Sequence, residues 1–367
     1  MTETNDSNIT DYPLRQIYFY LTEGCNLKCR HCWLAPKYQS GSNTYPMMDV
    51  EVFTRVILQA KPLGLSGVKL TGGEPLMHPD IKDMLSCIRE NDLRLVMETN
   101  GLLMTQEIAK TISTFPDPFV SVSLDGIDAK THEAVRGVPG SFEKTVNGIR
   151  HLSDAGVKNQ IIMSVMRFNM DQIGPMIRLA ETLGVESVKF NLVQPIKRGE
   201  ILHEKGETLS IEEMIDLGKV VENTLSKETR LRIDYDHPMA FRPLGKLFGE
   251  DGDGCSACGI LGILGVLPDG AYALCGIGMN IPEMVFGHAT KDRLSDIWEK
   301  TAILNELREG MPDQFQGVCK KCLMKHLCLG SCVAQNYYTS GHIWGAFWYC
   351  EQAYQKGVFP VTRLSEN

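Results

Sequence analysis

Three cysteines in the run GCNLKCRHCW, Cys25, Cys29 and Cys32, stand in a C-x3-C-x2-C spacing, and no other feature restricts this chain as sharply. They follow the first strand-like run, residues 15–22 (RQIYFYLT), which puts three thiols on one loop at a strand's C-terminal end. Structural zinc takes four protein ligands in a closed tetrahedron. The nearby substitute, His31, lies between two of the cysteines and points elsewhere. A [4Fe–4S] cube held by three Cys keeps one iron open to bind a substrate or cofactor. Zinc and inert thiols are the competing readings. Twelve Cys in 367 residues are too sparse for a small disulfide scaffold, and the start MTETNDSNITDYP has neither the basic nor the apolar stretch of a secretion signal. The thiols are therefore expected to be reduced, in the cytoplasm.

Strand-like runs alternate with amphipathic helical stretches as six βα units, with strands at 15–22, 67–71, 93–98, 119–124, 160–165 and 187–192. Helices are expected at 49–60, 79–91, 141–155 and 171–183, with Asp49 and Ser141 as N-caps. One more helix, 211–226, and a candidate strand at 231–235 follow. The fold class is α/β: a parallel sheet curved into a partial (β/α)6 TIM-type barrel, with a doubly wound open sheet as the alternative. Either places a ligand at the C-terminal ends of the strands. Near Asp251 the texture becomes Gly-rich and irregular, and the rest of the chain holds eight of the twelve Cys. This divides the chain into a tail (1–14), the barrel (15–237), a bridging segment (238–254) and an irregular iron–sulfur domain (255–367). A net charge of −8 without basic runs speaks against a nucleic-acid surface, and no apolar run approaches the ~20 residues that span a bilayer.

After the second strand stands Gly72-Gly73-Glu74-Pro75. Two glycines let a backbone approach a ligand closely, and Glu74 offers a carboxylate to an ammonium. The cysteine triplet after strand one, with GGEP after strand two, resembles the radical S-adenosylmethionine (SAM) superfamily. The resemblance implies that Cys25, Cys29 and Cys32 hold a catalytic [4Fe–4S] cluster whose open iron binds S-adenosylmethionine. It implies that Gly72, Gly73, Glu74 and Pro75 hold the cofactor's amino group and that Glu98 and Ser123 contact its sugar. Arg136, in the segment Arg136-Gly137 with Gly140-Ser141-Phe142, would lie near its carboxylate. The plainer alternatives are an exposed salt-bridge arginine at Arg136 and ordinary turns at Asn100-Gly101 and Asp125-Gly126.

The C-terminal third reads Cys255-x2-Cys258, then Gly270-x4-Cys275, then Cys319-x2-Cys322-x5-Cys328-x3-Cys332, and finally Cys350. Without Cys255 this resembles the seven-cysteine pattern of the SPASM domain, a C-terminal extension with two auxiliary [4Fe–4S] clusters. By that resemblance Cys258, Cys275 and Cys332, with Cys255 as a candidate fourth ligand, hold one cluster, and Cys319, Cys322, Cys328 and Cys350 the other. Without Cys255 the first auxiliary cluster would have an open iron. Zinc at Cys319 and Cys322 with Cys328, Cys332 or His326 is the alternative, and it leaves four cysteines unexplained. Cys87 remains as a small core residue.

The implied chemistry is reductive cleavage of S-adenosylmethionine to a 5′-deoxyadenosyl radical, then oxidation of a ribosomally made peptide or protein by crosslink, thioether, decarboxylation or excision. Three clusters, a flavodoxin- or ferredoxin-type electron donor and an anoxic setting go with it. Only 24 residues precede Cys25, so leader recognition is expected within the barrel, in the bridging segment or on a separate peptide-recognition protein. The alternatives are a sulfatase-maturating Ser/Cys oxidase, a small-molecule dehydrogenase, and a non-catalytic iron–sulfur electron carrier or scaffold. The sulfatase type usually carries an Asp after the Cys of G-x4-C, where this chain has Gly276.

Overall fold

The computed structural model of the chain describes residues 12–39, 45–249 and 258–365. Seven parallel strands run in chain order: β1 (Gln16–Tyr20), β2 (Gly67–Thr71), β3 (Arg94–Thr99), β4 (Phe119–Ser123), β5 (Lys158–Val165), β6 (Ser187–Leu192) and β7 (Arg232–Tyr235). An eighth, β8 (Ile263–Val266), comes from the cysteine-rich part and pairs in parallel with the free side of β1, Ile17 opposite Leu264. Two short antiparallel strands, β9 (Ala271–Ala273) and β10 (Val285–His288), complete a ten-stranded sheet whose outer strands do not pair. The sheet is thus open, with eight of its ten strands parallel, where the sequence offered six βα units and one further candidate strand. The strand expected at 231–235 is β7, and the sheet continues across the division at residue 255.

The helices cover one face. Phe19 on β1 packs against Phe53 of α1 (Val50–Ala60), rings tilted by 46° with centroids 4.3 Å apart, and Val68, Leu95, Val120, Ile161 and Val188 lie fully buried on the same side. Parallel strands buried on both faces read as continuous apolar runs. These alternate instead: Lys69, Glu98, Ser123, Lys189 and Asp234 are half-buried on the other face, so the concave side is a polar, accessible lumen.

Asp49 caps α1, accepting from the Glu51 and Val52 amides at 2.7 and 3.1 Å. Ser141 does not cap its helix, Ser141–Asp154. Gly140, in the left-handed region at φ 75°, takes the cap position, and Ser141 becomes the first helical residue with its Oγ buried and unpartnered. Among the described residues no helix is long and apolar enough to cross a membrane.

Candidate functional site

The loop after β1 carries Cys25 and Cys29, both buried, and the partly exposed Cys32. Three clamps fix it. From below, the loop after β2 binds its backbone: the Gly73 amide donates to the Thr22 carbonyl at 2.8 Å and the Glu74 amide to the Gly24 carbonyl at 3.1 Å. A Cβ on Gly73 would lie 1.8 Å from the Gly24 oxygen, and Gly72 sits at φ +127°. The two glycines are required here by contact with the cysteine loop itself. From the side, the helix Ala129–Arg136 presents its last carbonyls to the loop. The Lys28 amide donates to Arg136 at 2.9 Å and the Arg30 amide to Val135 at 3.0 Å. Arg198 closes the third side, donating to the carbonyls of Cys29 (3.2 Å) and Pro36 (2.9 Å).

Arg136 is a buried ion-pair partner, which corrects the alternative of an exposed one. Its Nε lies 2.6 Å from Asp125 Oδ2, and its Nη1 donates to Cys29 Sγ at 3.4 Å. The Asp125 side chain is 0% exposed. Burial alone would raise its carboxyl, but the Arg136 guanidinium holds it below the usual range. Asp125 also accepts from the Ser164 amide at 2.7 Å. It is therefore more than the turn residue its Asp-Gly sequence implied, and sequence reasoning missed it. The available signal was an acidic residue directly after a strand, eleven positions before a lone arginine. His31 points away from the thiols, as expected, with Nε2 3.0 Å from Ser164 Oγ; burial pulls it down to about 4, so it is neutral.

Glu74 is 1% exposed. Its carboxylate accepts from Thr99 Oγ1 (2.6 Å), the Asn100 amide (2.8 Å) and the Leu76 amide (3.1 Å), leaving about one of its four acceptor positions. Burial lifts it up to about 7 despite those bonds. Glu98, at the end of β3, keeps 40% of its side chain exposed and pairs with Lys69. Burial raises its carboxyl, and Lys69 more than offsets that, so it stays ionised. Ser123 is half-buried at the end of β4.

Burial pushes Cys25 well above its ordinary value, with Glu74 and Cys29 adding to it; burial and Cys29 push Cys32 up to about 11. Such thiols are protonated alone and lose their protons only to a cation, as metal ligands do.

The later cysteines form two groups through the same field effects. The Cys332 thiol is raised by burial and then by Cys258 and Cys275, and that of Cys350 by burial and then by Cys319, Cys328 and Cys322. The second set lines one cavity with Pro238 and Phe347. Cys255 lies outside the described residues, as do residues 250–254 at the end of the bridging segment. Among the described residues no three His, Cys, Asp or Glu side chains stand close enough to share one metal ion. All-thiolate donor sets are what iron–sulfur clusters take. The donor sets fit iron–sulfur clusters.

Gly276 follows Cys275 and sits against Tyr20 of β1: an added Cβ would lie 2.3 Å from the Tyr20 hydroxyl and ring. The ring fills the space a side chain at 276 would need. Gly276→Ala is expected to cost about 1–3 kcal/mol by overpacking, read as a lower thermal midpoint, and Tyr20→Leu in the same chain should recover part of it.

Residues 19–180 match the family model of the radical SAM superfamily, and residues 255–323 match SPASM, an iron–sulfur cluster-binding domain. The AdoMet-dependent heme synthase of Methanosarcina barkeri is 29% identical over 348 residues, 91% of this chain and 95% of that protein. The mycofactocin maturase MftC of Mycolicibacterium smegmatis is 25% identical, over 87% of this chain and 78% of that one. In fold, Streptococcus suis SuiB bound to precursor peptide SuiA superposes with a TM-score of 0.70 at 16% identity, covering 94% of this chain and 77% of that chain. With the cysteine loop and glycine loop clamped at the mouth of a parallel sheet, these matches establish that the chain is an enzyme of the radical SAM superfamily, in the branch that carries a SPASM domain.

Proposed function

We propose that this enzyme oxidatively modifies a ribosomally made peptide or protein at the mouth of its barrel. The observation that carries the reading is the interlock of the three-thiol loop with Gly72–Pro75 above an open polar lumen. Cys25, Cys29 and Cys32 would hold one [4Fe–4S] cluster, which when bound and reduced supplies the electron that cleaves S-adenosylmethionine to a 5′-deoxyadenosyl radical. The chain's own residues do the rest. The loop Gly72–Pro75 positions the cofactor's amino group, Glu98 and Ser123 face its sugar, and Arg136 holds Cys29 and the cofactor end of the site in one geometry. The surrounding strands hold the substrate carbon close. Cys258, Cys275 and Cys332, with Cys255, and the set Cys319, Cys322, Cys328 and Cys350 would hold two auxiliary clusters. Net oxidation follows from having such electron acceptors beside the site. A flavodoxin- or ferredoxin-type protein would supply the priming electron.

A peptide substrate is supported by the maturase relative and by the peptide-bound neighbour of the same fold. A tetrapyrrole substrate is the second reading, favoured by the heme synthase match over nearly the whole of both chains. The sulfatase branch is disfavoured because Tyr20 occupies the place of an acidic side chain at 276.

Anaerobic incubation of the reconstituted enzyme, S-adenosylmethionine and reductant with peptides encoded beside its gene, followed by mass spectrometry, tests the reading. Loss of two hydrogens from a peptide, alone or together with carbon dioxide, in step with 5′-deoxyadenosine, is expected. Turnover of an iron porphyrin with every peptide untouched would overturn it in favour of the second reading.

A further inference from the structure

Strand β6 reads SVKFNL. Val188, Phe190 and Leu192 are buried in the apolar core, so Lys189 and Asn191 face the lumen, half-buried. Lys189 is within the field of Glu98 across the lumen, yet the Glu98 carboxylate is paired with Lys69. Asp234, the register neighbour of Lys189 on β7, is held by Arg232 Nε at 3.3 Å and by Gln160 Nε2 at 3.4 Å. Both nearby acids are thus engaged elsewhere, and Lys189 has no ion-pair or hydrogen-bond partner among the described residues. Two residues on, the Asn191 Oδ1 is buried without a partner. Asn191 is in register with Ser164, whose hydroxyl meets His31 of the cysteine loop. The unpaired cation and the unpaired amide therefore share one wall of the lumen, next to the thiol loop and across from Glu98.

A buried amide oxygen left without a partner is costly unless a ligand satisfies it, and the half-buried Lys189 side chain beside it has no carboxylate of its own. We propose that this wall recognises the substrate: Lys189 binds a free carboxylate, and Asn191 accepts a hydrogen bond from an N–H or O–H beside it. Along a strand the two positions stand about 7 Å apart, a span that a carboxylate and an adjoining donor can bridge. The proposal rests on the reading of the lumen as the substrate site. A peptide's free C-terminus and a porphyrin's carboxylates offer the same chemistry.

The test measures binding to the anaerobically reconstituted, SAM-loaded enzyme in two arms. One compares iron coproporphyrin III with its tetramethyl ester. The other compares random hexapeptides lacking Asp and Glu, as free acids and as C-terminal amides. In the arm that contains the substrate class, the free acid should bind about tenfold or more tightly than its neutral form. Lys189→Gln should erase that preference, while Lys82→Gln, at a side chain that is 64% exposed, keeps it. Iron content and absorbance of the reconstituted Lys189→Gln protein report whether it folds, and Lys189→Arg, which keeps the charge, should retain most of the preference. Equal binding of acid and neutral forms, a preference that survives Lys189→Gln, or binding in neither arm overturns the site. So does a tenfold loss of affinity for S-adenosylmethionine alone in Lys189→Gln, which would assign the lysine to the cofactor. Formation of 5′-deoxyadenosine by the unmodified enzyme, followed in parallel, shows whether the functional reading stands when the site fails.

Discussion

Replacing Cys25, Cys29 or Cys32 with alanine is expected to abolish formation of 5′-deoxyadenosine and to lower the iron of the reconstituted enzyme from about twelve to about eight atoms per chain. The reason is local. All three thiols sit on one loop held by the Gly73 and Glu74 amides, by the end of the helix Ala129–Arg136 and by Arg198, so no other donor can swing in. His31, the nearest candidate, is turned to Ser164. The two other groups of cysteines lie under separate packing, with Cys350 and its partners around their own cavity. Loss of the first set should therefore leave about eight irons and their absorbance. Alanine at Cys319 or Cys350 should show the complementary pattern: less iron, with some cleavage of S-adenosylmethionine retained but little or no oxidised product. Iron analysis and chromatography of the same samples check both halves.

The second large effect concerns Arg136. Its side chain and that of Asp125 are 8% and 0% exposed. Removing one member of such a pair leaves an uncompensated buried charge, which costs about 3–5 kcal/mol. Arg136→Leu strands the Asp125 carboxylate and also removes the donor to Cys29 Sγ. An unfolding free energy lowered by that amount, read from a denaturant titration, is expected, together with weak loading of the first cluster. Asp125→Asn/Arg136→Leu should recover much of the stability, because no buried charge remains, but not the loading, because the contact to Cys29 is still gone. If the double variant recovered both, Arg136 would be a purely structural residue.

Much of the scaffold was legible because it is written locally. Strand alternation placed β2 and β6 to the residue, Asp49 declared itself as a cap, and the paired glycines marked a close backbone approach. What stayed hidden depends on residues distant in sequence. Nothing in the run Ile263–Val266 says that it joins β1, because a short apolar strand carries no address for its partner. The helix Ala129–Arg136 is short and polar, so its periodicity is weak, although Asp128 caps it and Gly137 ends it at φ 72°. Asp125 and Arg198 act through the cysteine loop, and that role exists only once β4, β5 and the loop after β6 are folded around it. At Gly276 the missing side chain was visible in the sequence, but its cause, the ring of Tyr20, was not. Ser141 misled because a serine before a helical run is a good cap, and the left-handed Gly140 took that position first.

The central claim is that the thiol loop at the mouth of the sheet turns S-adenosylmethionine into a radical source. Its most direct test is the yield of 5′-deoxyadenosine from the anaerobically reconstituted wild-type chain with S-adenosylmethionine and dithionite. At least one equivalent per chain, dependent on reductant and absent from the Cys25→Ala protein, is the expected result. A chain that carries its full iron and binds S-adenosylmethionine but releases no 5′-deoxyadenosine would contradict it.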